Sequence, residues 1–192
     1  MPVDLALVGP GVVLRPAAPE HAEALWAAVQ ESAPELAPWM AWCHDGYSRQ
    51  DAREWLASRP GAWERAEAFD FVVTDRDTGA LLGACALTHL DHANRRANLG
   101  YWVRTSASGR GVATEAAAIA VHFGLAELGL GRIEIAAAVG NRASQRVAEK
   151  LGATREGLAR NRFRLDGAYV DAVLFSLVPA DLALDADRRG PG

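Results

Sequence analysis

The pattern of apolar and polar positions predicts alternating strands and helices, and it is clearest in the second half of the chain. Residues 99–103 and 132–139 are apolar runs of strand length. Between them, apolar residues recur at helical spacing over residues 112–128, and glycines follow the last of them. Residues 141–152 form a further helix. Strand, helix, strand and helix in this order predict a parallel crossover unit with a polar helix start after each strand.

The first half and the C-terminal part carry shorter patterns of the same kind. Further strands are predicted at residues 12–15, 69–74, 81–90, 154–165 and 169–178. An amphipathic helix is predicted over residues 19–31, and a second helix begins at Ser48, where Ser48 and Asp51 have the spacing of a capping box. We expect a single domain over residues 1–179 and a flexible, polar tail over residues 180–192.

Composition and charge narrow the class of protein. The chain has 192 residues, of which 50% are hydrophobic and 23% are charged, as is typical of a soluble globular domain. Its apolar stretches are too short to span a membrane, and no secretory signal is visible at the N-terminus. Cys43 and Cys85 have no metal-ligand spacing. We therefore expect a cytoplasmic protein without a metal, and the net charge of −4 argues against bulk binding of nucleic acid.

The turn between the strand at residues 99–103 and the next helix has the composition of an anion-binding loop. Gly109 and Gly111 allow a tight turn and a close approach of the backbone to a ligand. The free N–H groups at the start of that helix belong to Arg110, Gly111, Val112, Ala113 and Thr114. Such groups bind phosphate, although glycine-rich turns also serve packing alone, and the residues by themselves leave both interpretations open.

Five segments of the chain stand in the order of one known family. They are residues 14–16 with Glu20, residues 38–42, residues 100–115, residues 141–152 and residues 166–171. On these segments the chain resembles a GCN5-related N-acetyltransferase (GNAT) of the subgroup that acetylates ribosomal-protein N-termini. The family signature Gln/Arg-x-x-Gly-x-Gly/Ala falls on residues 108–113, with Ser108 in the first position. The resemblance implies a mixed α/β fold, a strongly twisted mixed sheet of about seven strands with about four helices.

The resemblance also implies the acetyl-CoA site. The pantetheine arm would lie between the strands that end at Val103 and Val139, and the pyrophosphate would bind the loop before the helix. Asn141 would bond the pantetheine and Ser144 would touch the sulfur. The residues alone instead favour Asn141 as a helix cap and Ser144 as a first-turn residue without a role in binding. The expected acetyl-CoA ligands are Trp102, Val103, Arg104, Ser108, Gly109, Arg110, Gly111, Val112, Ala113, Thr114, Asn141, Ser144 and Arg146.

Acetyl transfer to an amine needs three kinds of group. The N–H of Val103 is expected to stabilise the oxyanion, and Ser144 is expected to donate a hydrogen bond to the leaving thiolate or to relay a proton. The third group is a base that takes the proton of the amine. The carboxylate positions of the family hold Asn98 and Phe163 here, so His89 is the candidate base, with His44 or a water-mediated base as the alternatives.

The acceptor amine is the least determined part of the interpretation. The resemblance implies that Trp39, Trp42, His44 and Tyr47 wall the acceptor site, although these residues also fit a small hydrophobic cluster. A protein N-terminal α-amine is the first candidate acceptor. The alternatives are a small amine, such as an amino acid, a polyamine or an antibiotic, and a sensor that binds acyl-CoA without turnover. Relatives often pair, so a homodimer stays open.

Overall fold

One mixed β-sheet organises the chain in the computed structural model, which describes residues 5–182. Its strands are β1 (Leu7–Val8), β2 (Val12–Pro16), β3 (Phe69–Asp75), β4 (Leu81–Asp91), β5 (Arg96–Val103), β6 (Arg132–Ala138), β7 (Thr154–Leu165) and β8 (Ala168–Leu177). They lie in the order β1-β2-β3-β4-β5-β6-β8-β7. The predicted mixed α/β fold is confirmed. The sheet has eight strands, whereas about seven were predicted. The additional strand is β1, a two-residue edge strand that is too short to carry a periodic pattern.

Helices cover both faces of the sheet. They are α1 (Ala22–Leu36), α2 (Arg49–Glu64), α3 (Val112–His122), which continues as a π-helical segment over Phe123–Glu127, and α4 (Arg142–Lys150). Helix α1 extends beyond the predicted residue 31 and includes Pro34, because Leu36 packs in a small buried cluster with Val29 and Cys43. Ser48 caps the start of α2, as the predicted capping box requires, and the Ser48 N–H donates to Asp51 Oδ2 at 2.7 Å.

The two faces of the sheet bury different clusters. On one face, α3 packs its small residues Ala116 and Ala117 against a core that contains Phe71 and Ile133. The other face is covered by α1 and α2, where Leu56 of α2 packs near Val72 of β3. Because side chains alternate along a strand, neighbouring residues of β3 and β5 serve opposite faces of the sheet.

Strands β5 and β6 form the parallel crossover that the sequence predicted, but they remain paired over a short stretch. Their register joins Arg96 to Arg132, Ala97 to Ile133 and Asn98 to Glu134. Beyond Asn98, β5 continues along β4, whereas β6 continues along β8. The two strands therefore diverge, and a wedge opens between them at their carboxyl ends.

The closing hairpin is confirmed, with β7 and β8 antiparallel around the turn at residues 166–167. Its register shifts between Ala159 and Phe163, which bends β7 beside the wedge. The expected C-terminal tail begins within a helical turn over residues 179–182, and its remaining residues lie outside the described part of the chain.

Candidate functional site

Two glycines shape the N-terminus of α3. Gly109 has a φ of 76° and Gly111 has a φ of 84°, so both occupy the left-handed region that a side chain disfavours. The carbonyl of Gly111 accepts the first helical hydrogen bond, from the N–H of Glu115 at 3.0 Å. Within residues 5–182, no protein group accepts a hydrogen bond from the N–H of Val112, Ala113 or Thr114. These N–H groups are therefore free to bind an anion.

The segment before this loop is held by α1. Glu31 accepts hydrogen bonds from the Arg104 side chain and, at 2.8 Å, from the N–H of Ser106. These contacts hold the pKa of Glu31 at about 2. The Thr105 N–H donates to Ser32 Oγ at 2.9 Å, and Ser32 is itself buried. The start of the loop is thus fixed by a helix that packs on the other face of the sheet.

The wedge between β5 and β6 contains a cavity of about 360 Å³. It is lined by Asn98, Leu99, Gly100 and Tyr101 from β5, by Ile135, Ala136, Ala137 and Ala138 from β6, and by Asn141 and Ser144 from the start of α4. An extended ligand arm fits here, because each strand edge offers backbone groups that have lost their β-sheet partner.

Backbone alternation decides which groups of β5 face the wedge. The N–H of Arg104 donates to the carbonyl of Leu82 at 2.8 Å, toward β4. In an antiparallel pair, alternate residues point their N–H groups to opposite sides, so the Trp102 N–H also faces β4. The N–H groups of Tyr101 and Val103 therefore face the open edge. Val103, the predicted oxyanion donor, lies on this edge but lines neither cavity, whereas Trp102 and Arg104 use their N–H groups within the sheet.

Asn141 and Ser144 meet at the first turn of α4. The Ser144 N–H donates to Asn141 Oδ1 at 3.0 Å, so Asn141 caps the helix while it lines the cavity. The hydroxyl of Tyr101 donates to the Ser144 carbonyl at 3.0 Å and lies 3.2 Å from Ser144 Oγ. Burial raises the pKa of Tyr101 to about 12, which keeps this phenol protonated. Sequence reasoning missed Tyr101 because its contact with Ser144 depends on long-range packing.

A second cavity, of about 870 Å³, lies on the face of the sheet covered by α1 and α2. The four residues predicted to wall the acceptor site line this cavity: Trp39, Trp42, His44 and Tyr47. The ring of Trp42 lies 5.8 Å from that of Tyr47 and 5.9 Å from that of Trp102. Burial raises the pKa of Tyr47 to about 12. The structure thus brings these aromatic residues together around one opening.

The two cavities meet at the wedge. Six residues line both of them: Trp39, Met40, His89, Gly100, Tyr101 and Phe163. His89 is exposed there, with its Nδ1 3.0 Å from Thr88 Oγ1. A methyl group built on Gly100 would meet no atom within 4 Å, so the junction is open at this glycine. A ligand arm in the wedge and a second ligand in the larger cavity would approach each other here.

Of the predicted acetyl-CoA ligands, Trp102 lines the larger cavity and Asn141 and Ser144 line the wedge, whereas the other ten line neither cavity. Ser108, Arg110 and Arg146 are exposed, and none of them lines either cavity. Ser108 and Arg110 adjoin the α3 N-terminus in sequence, and the Ser108 Oγ donates to the Arg104 carbonyl at 3.4 Å. Arg146 lies on the exposed side of α4. In the described part of the chain, His, Cys, Asp and Glu side chains form no cluster suited to a metal ion.

Sequence reasoning also missed an ion pair in the wall of the larger cavity. Asp70 of β3 and Arg59 of α2 both line it, and Arg59 Nη1 lies 3.1 Å from Asp70 Oδ2. The Asp70 side chain is only 6% exposed. Burial raises the pKa of Asp70, and the neighbouring Arg59 opposes that shift.

Over residues 5–182, no helix has the length and apolar character needed to cross a bilayer.

Comparisons with known proteins agree with this geometry. The sequence profile of the acetyltransferase (GNAT) domain matches residues 12–154. The chain is 31% identical to YdaF of Bacillus subtilis (strain 168), named as a candidate ribosomal N-acetyltransferase, over 87% of this chain and 91% of YdaF. It is 25% identical to the ribosomal-protein-serine acetyltransferase of Escherichia coli (strain K12), over 89% of this chain and 94% of that protein. Mycobacterium smegmatis RimJ, solved with CoA-disulfide, superposes with a TM-score of 0.82 at 26% identity, covering 91% and 88% of the two chains.

Proposed function

The chain belongs to the acetyltransferase (GNAT) domain family and is an acetyl-CoA-dependent acyltransferase, and we propose that its acceptor is the α-amino group at the N-terminus of a protein. The observation that carries this proposal is the junction of the two cavities at Gly100 and His89. One cavity suits the thioester arm, and the other is large enough for the first residues of a peptide. The names of YdaF and of the Escherichia coli relative support the same class of acceptor.

The residues present fit acetyl-CoA as co-substrate. Its pyrophosphate would accept hydrogen bonds from the free N–H groups of Val112, Ala113 and Thr114 at the start of α3. Its pantetheine arm would enter the wedge and pair with the open edges of β5 and β6. The CoA-disulfide bound to RimJ supports this choice of ligand. The helix dipole adds a favourable field for the phosphates at the same place.

The groups around the wedge suit a direct attack on the thioester. The N–H of Val103 or Tyr101 would stabilise the negative charge on the carbonyl oxygen. The hydroxyl of Ser144, which is held beside that of Tyr101, would donate a hydrogen bond to the sulfur as it leaves. His89 stands at the junction where the amine would enter. Tyr101, Ser144 and His89 line the cavities, and the Val103 N–H lies on the open edge of β5.

A peptide N-terminus suits the larger cavity for two reasons. The cavity opens beside Trp39 and Trp42, which are 36% and 40% exposed, so the rest of a protein chain can extend outward over these rings. Its lining includes both apolar side chains and the acidic side chains of Asp51, Glu54 and Asp70. An α-ammonium group with an uncharged first side chain matches that combination.

Acetylation of matched peptides tests the proposal. Wild-type protein, acetyl-CoA and peptides with a free N-terminus should release CoA thiol and add one acetyl group, located at residue one by mass spectrometry. The same peptides with a blocked N-terminus, and free spermidine, serve as controls. Turnover of spermidine or of a free amino acid, without turnover of any peptide, would contradict the protein acceptor. Acetyl-CoA binding without release of thiol for any amine would instead identify a sensor.

A further inference from the structure

We propose that Asp70, held by Arg59, is the carboxylate that receives the acceptor amine and takes up its proton. The proposal rests on the acetyltransferase activity, and it supplies the base that the family positions do not, because Asn98 and Phe163 occupy them. Asp70 lies in β3, far from those positions in sequence. Its side chain lines the same cavity as the aromatic residues that wall the acceptor site.

The register of the sheet places Asp70 in line with the wedge. Asp70 is opposite Ala86 of β4, and Ala86 is opposite Gly100 of β5. Residues that face each other across neighbouring strands project to the same face, so Asp70 points to the face that carries the acceptor cavity. Two strand spacings separate the Asp70 and Gly100 backbones, which amounts to about 10 Å. This distance is longer than one hydrogen bond and one attack contact together, so water molecules would link the amine at the wedge to the carboxylate.

The residues between Asp70 and the wedge leave this path open. Ala86 carries only a methyl group, and nothing lies within 4 Å of the position that a methyl group on Gly100 would take. Larger side chains in this row would separate the carboxylate from the junction of the cavities. A row of one carboxylate, one alanine and one glycine therefore forms a channel floor that ends at the thioester site.

One oxygen of Asp70 is available to a ligand. Its Oδ2 accepts the hydrogen bond from Arg59 Nη1 at 3.1 Å. Among residues 5–182, no protein group donates a hydrogen bond to Oδ1. Every fully buried side-chain oxygen in this range has a hydrogen-bond partner, so Oδ1 is not fully buried. Oδ1 is therefore open to the cavity that Asp70 lines. Arg59 is also held by the Trp55 carbonyl at 3.2 Å and by Ser58, so the pair is fixed in place.

The other ionisable groups that line this cavity lie on several elements, and two of them are engaged in hydrogen bonds within α2. From α2, Asp51 is engaged in the capping box with Ser48, and Glu54 accepts from Gln50 at 2.8 Å. His44 and Tyr47 lie in the segment before α2, His89 and Cys85 lie in β4, Tyr101 lies in β5 and Arg164 lies in the closing hairpin. Among these, Asp70 combines burial, a fixed geometry and an open oxygen on the row that leads to Gly100.

The amine binds as an ammonium ion and passes one proton to Asp70 through cavity water, and its lone pair then forms the N–C bond to the thioester carbonyl carbon. The C–S bond breaks, and the sulfur leaves with its electron pair and takes up a proton that Ser144 relays from cavity water. The second amine proton is lost to cavity water when the amide forms, and Asp70 returns its proton to solvent. Because burial raises the pKa of Asp70 above its ordinary value, the carboxylate is a stronger base than one exposed to solvent.

Three proteins test the role of Asp70: wild type, Asp70→Asn, and the double variant Arg59→Gln/Asp70→Asn. They are assayed with an amine that wild type acetylates, so a wrong choice of peptide acceptor is detected beforehand and separately. We expect both variants to bind acetyl-CoA with wild-type affinity in calorimetry and to lose about 100-fold or more in kcat/KM for the amine at pH 7. The double variant is the control for charge, because it removes the pair without leaving Arg59 unbalanced.

The pH dependence of kcat/KM distinguishes a general base from a residue that only supports the structure. In wild type, kcat/KM should be nearly constant between about pH 6 and 8, because the bound ammonium transfers its proton within the complex. In Asp70→Asn, kcat/KM should rise about tenfold per pH unit toward the amine pKa, because only neutral amine reacts. Activity of either variant within threefold of wild type would overturn the proposal. A wild-type profile that itself rises tenfold per unit would do so as well, and that measurement does not require a folded variant.

Discussion

The hydroxyl oxygen of Tyr101 lies 3.2 Å from the Oγ of Ser144, although 43 positions separate the two residues in the chain. Tyr101 belongs to the strand edge that faces the wedge, and Ser144 belongs to the first turn of α4. The contact therefore joins the two walls between which the thioester would lie. It orients the serine hydroxyl, because Tyr101 also donates to the Ser144 carbonyl.

Replacing Ser144 by alanine should lower kcat by about 10-fold to 100-fold with little change in the Kd of acetyl-CoA. The hydroxyl would act on the sulfur as negative charge develops, and one such donor contributes on this scale or above it. Steady-state kinetics and calorimetry measure the two quantities on the same preparation. A fully active variant would leave Ser144 as an ordinary residue of the first turn.

Tyr101→Phe should lower kcat in the same direction, because the ring still fills its place while the hydroxyl that orients Ser144 is gone. Tyr169→Phe is the matched control, since Tyr169 is 68% exposed and lines neither cavity. Equal rates for the two tyrosine variants would show that the Tyr101 hydroxyl has no part in the reaction.

Gly111→Asp should weaken acetyl-CoA binding by at least about tenfold. The substitution places a negative side chain beside the N–H groups that would bind the pyrophosphate, and the φ of 84° adds backbone strain. Gly79→Asp is the matched control, because Gly79 has a φ of 73° and lies in the turn between β3 and β4. Calorimetric titration of both variants separates the effect of charge at the site from the effect of strain, which they share.

Local signals explain how much of this fold could be predicted from the sequence. The start of α2 was predictable because the Ser48–Asp51 capping box is complete within four residues. The loop before α3 was predictable because only glycine readily takes the left-handed conformations found at Gly109 and Gly111. In contrast, nothing local to Pro34 indicates that α1 continues through it to pack Leu36 against Val29.

The parts of the site that the sequence did not reveal depend on contacts between distant segments. Glu115 of α3 accepts the Gly11 N–H at 2.7 Å, 104 residues away, and so joins the turn between β1 and β2 to the anion-binding end of the helix. The Asp70–Arg59 pair depends on how α2 packs over β3. Such pairs follow from the register of the sheet and the placement of the helices, which no short motif encodes.

Trp42→Ala should raise the KM for the acceptor by about tenfold or more while the Kd of acetyl-CoA stays unchanged. The ring packs against Tyr47 and Trp102 and is 40% exposed at the cavity mouth, so its loss removes apolar contact area from a bound peptide. Trp42→Phe keeps an aromatic wall and should recover most of the affinity. A rise in the Kd of acetyl-CoA with an unchanged acceptor KM would place Trp42 in the other cavity.

The stability of the protein should fall in acid partly through Glu156. Hydrogen bonds from Arg132 and Ser176 lower the pKa of Glu156 from 4.5 to about 2, so its contribution is present above about pH 4.5 and disappears as the pH falls toward 2. Glu156→Gln should therefore be less stable than wild type at pH 6, and the difference should shrink at pH 3. Urea unfolding at both pH values measures it. A constant difference would mean that the carboxylate is not perturbed.

Alanine substitutions at two glycines distinguish an effect on core packing from an effect on activity. A methyl group on Gly124 would lie 2.7 Å from Ile133 Cδ1 and 2.9 Å from Leu87 Cδ1, and both of these side chains are fully buried. Gly124→Ala should therefore destabilise the protein by about 1–3 kcal/mol, despite the gain of about 1 kcal/mol in helix propensity. Thermal and urea unfolding measure this loss.

Gly100→Ala should behave in the opposite way. The methyl group meets no atom within 4 Å, so stability should stay within about 0.5 kcal/mol of wild type. It would, however, occupy the junction where the amine reaches the thioester, and kcat/KM for the acceptor should fall by about tenfold or more because small displacements there misalign the reacting atoms. An active Gly100→Ala variant with normal stability would show that the two substrates meet elsewhere, and the channel from Asp70 to the wedge would then carry no proton.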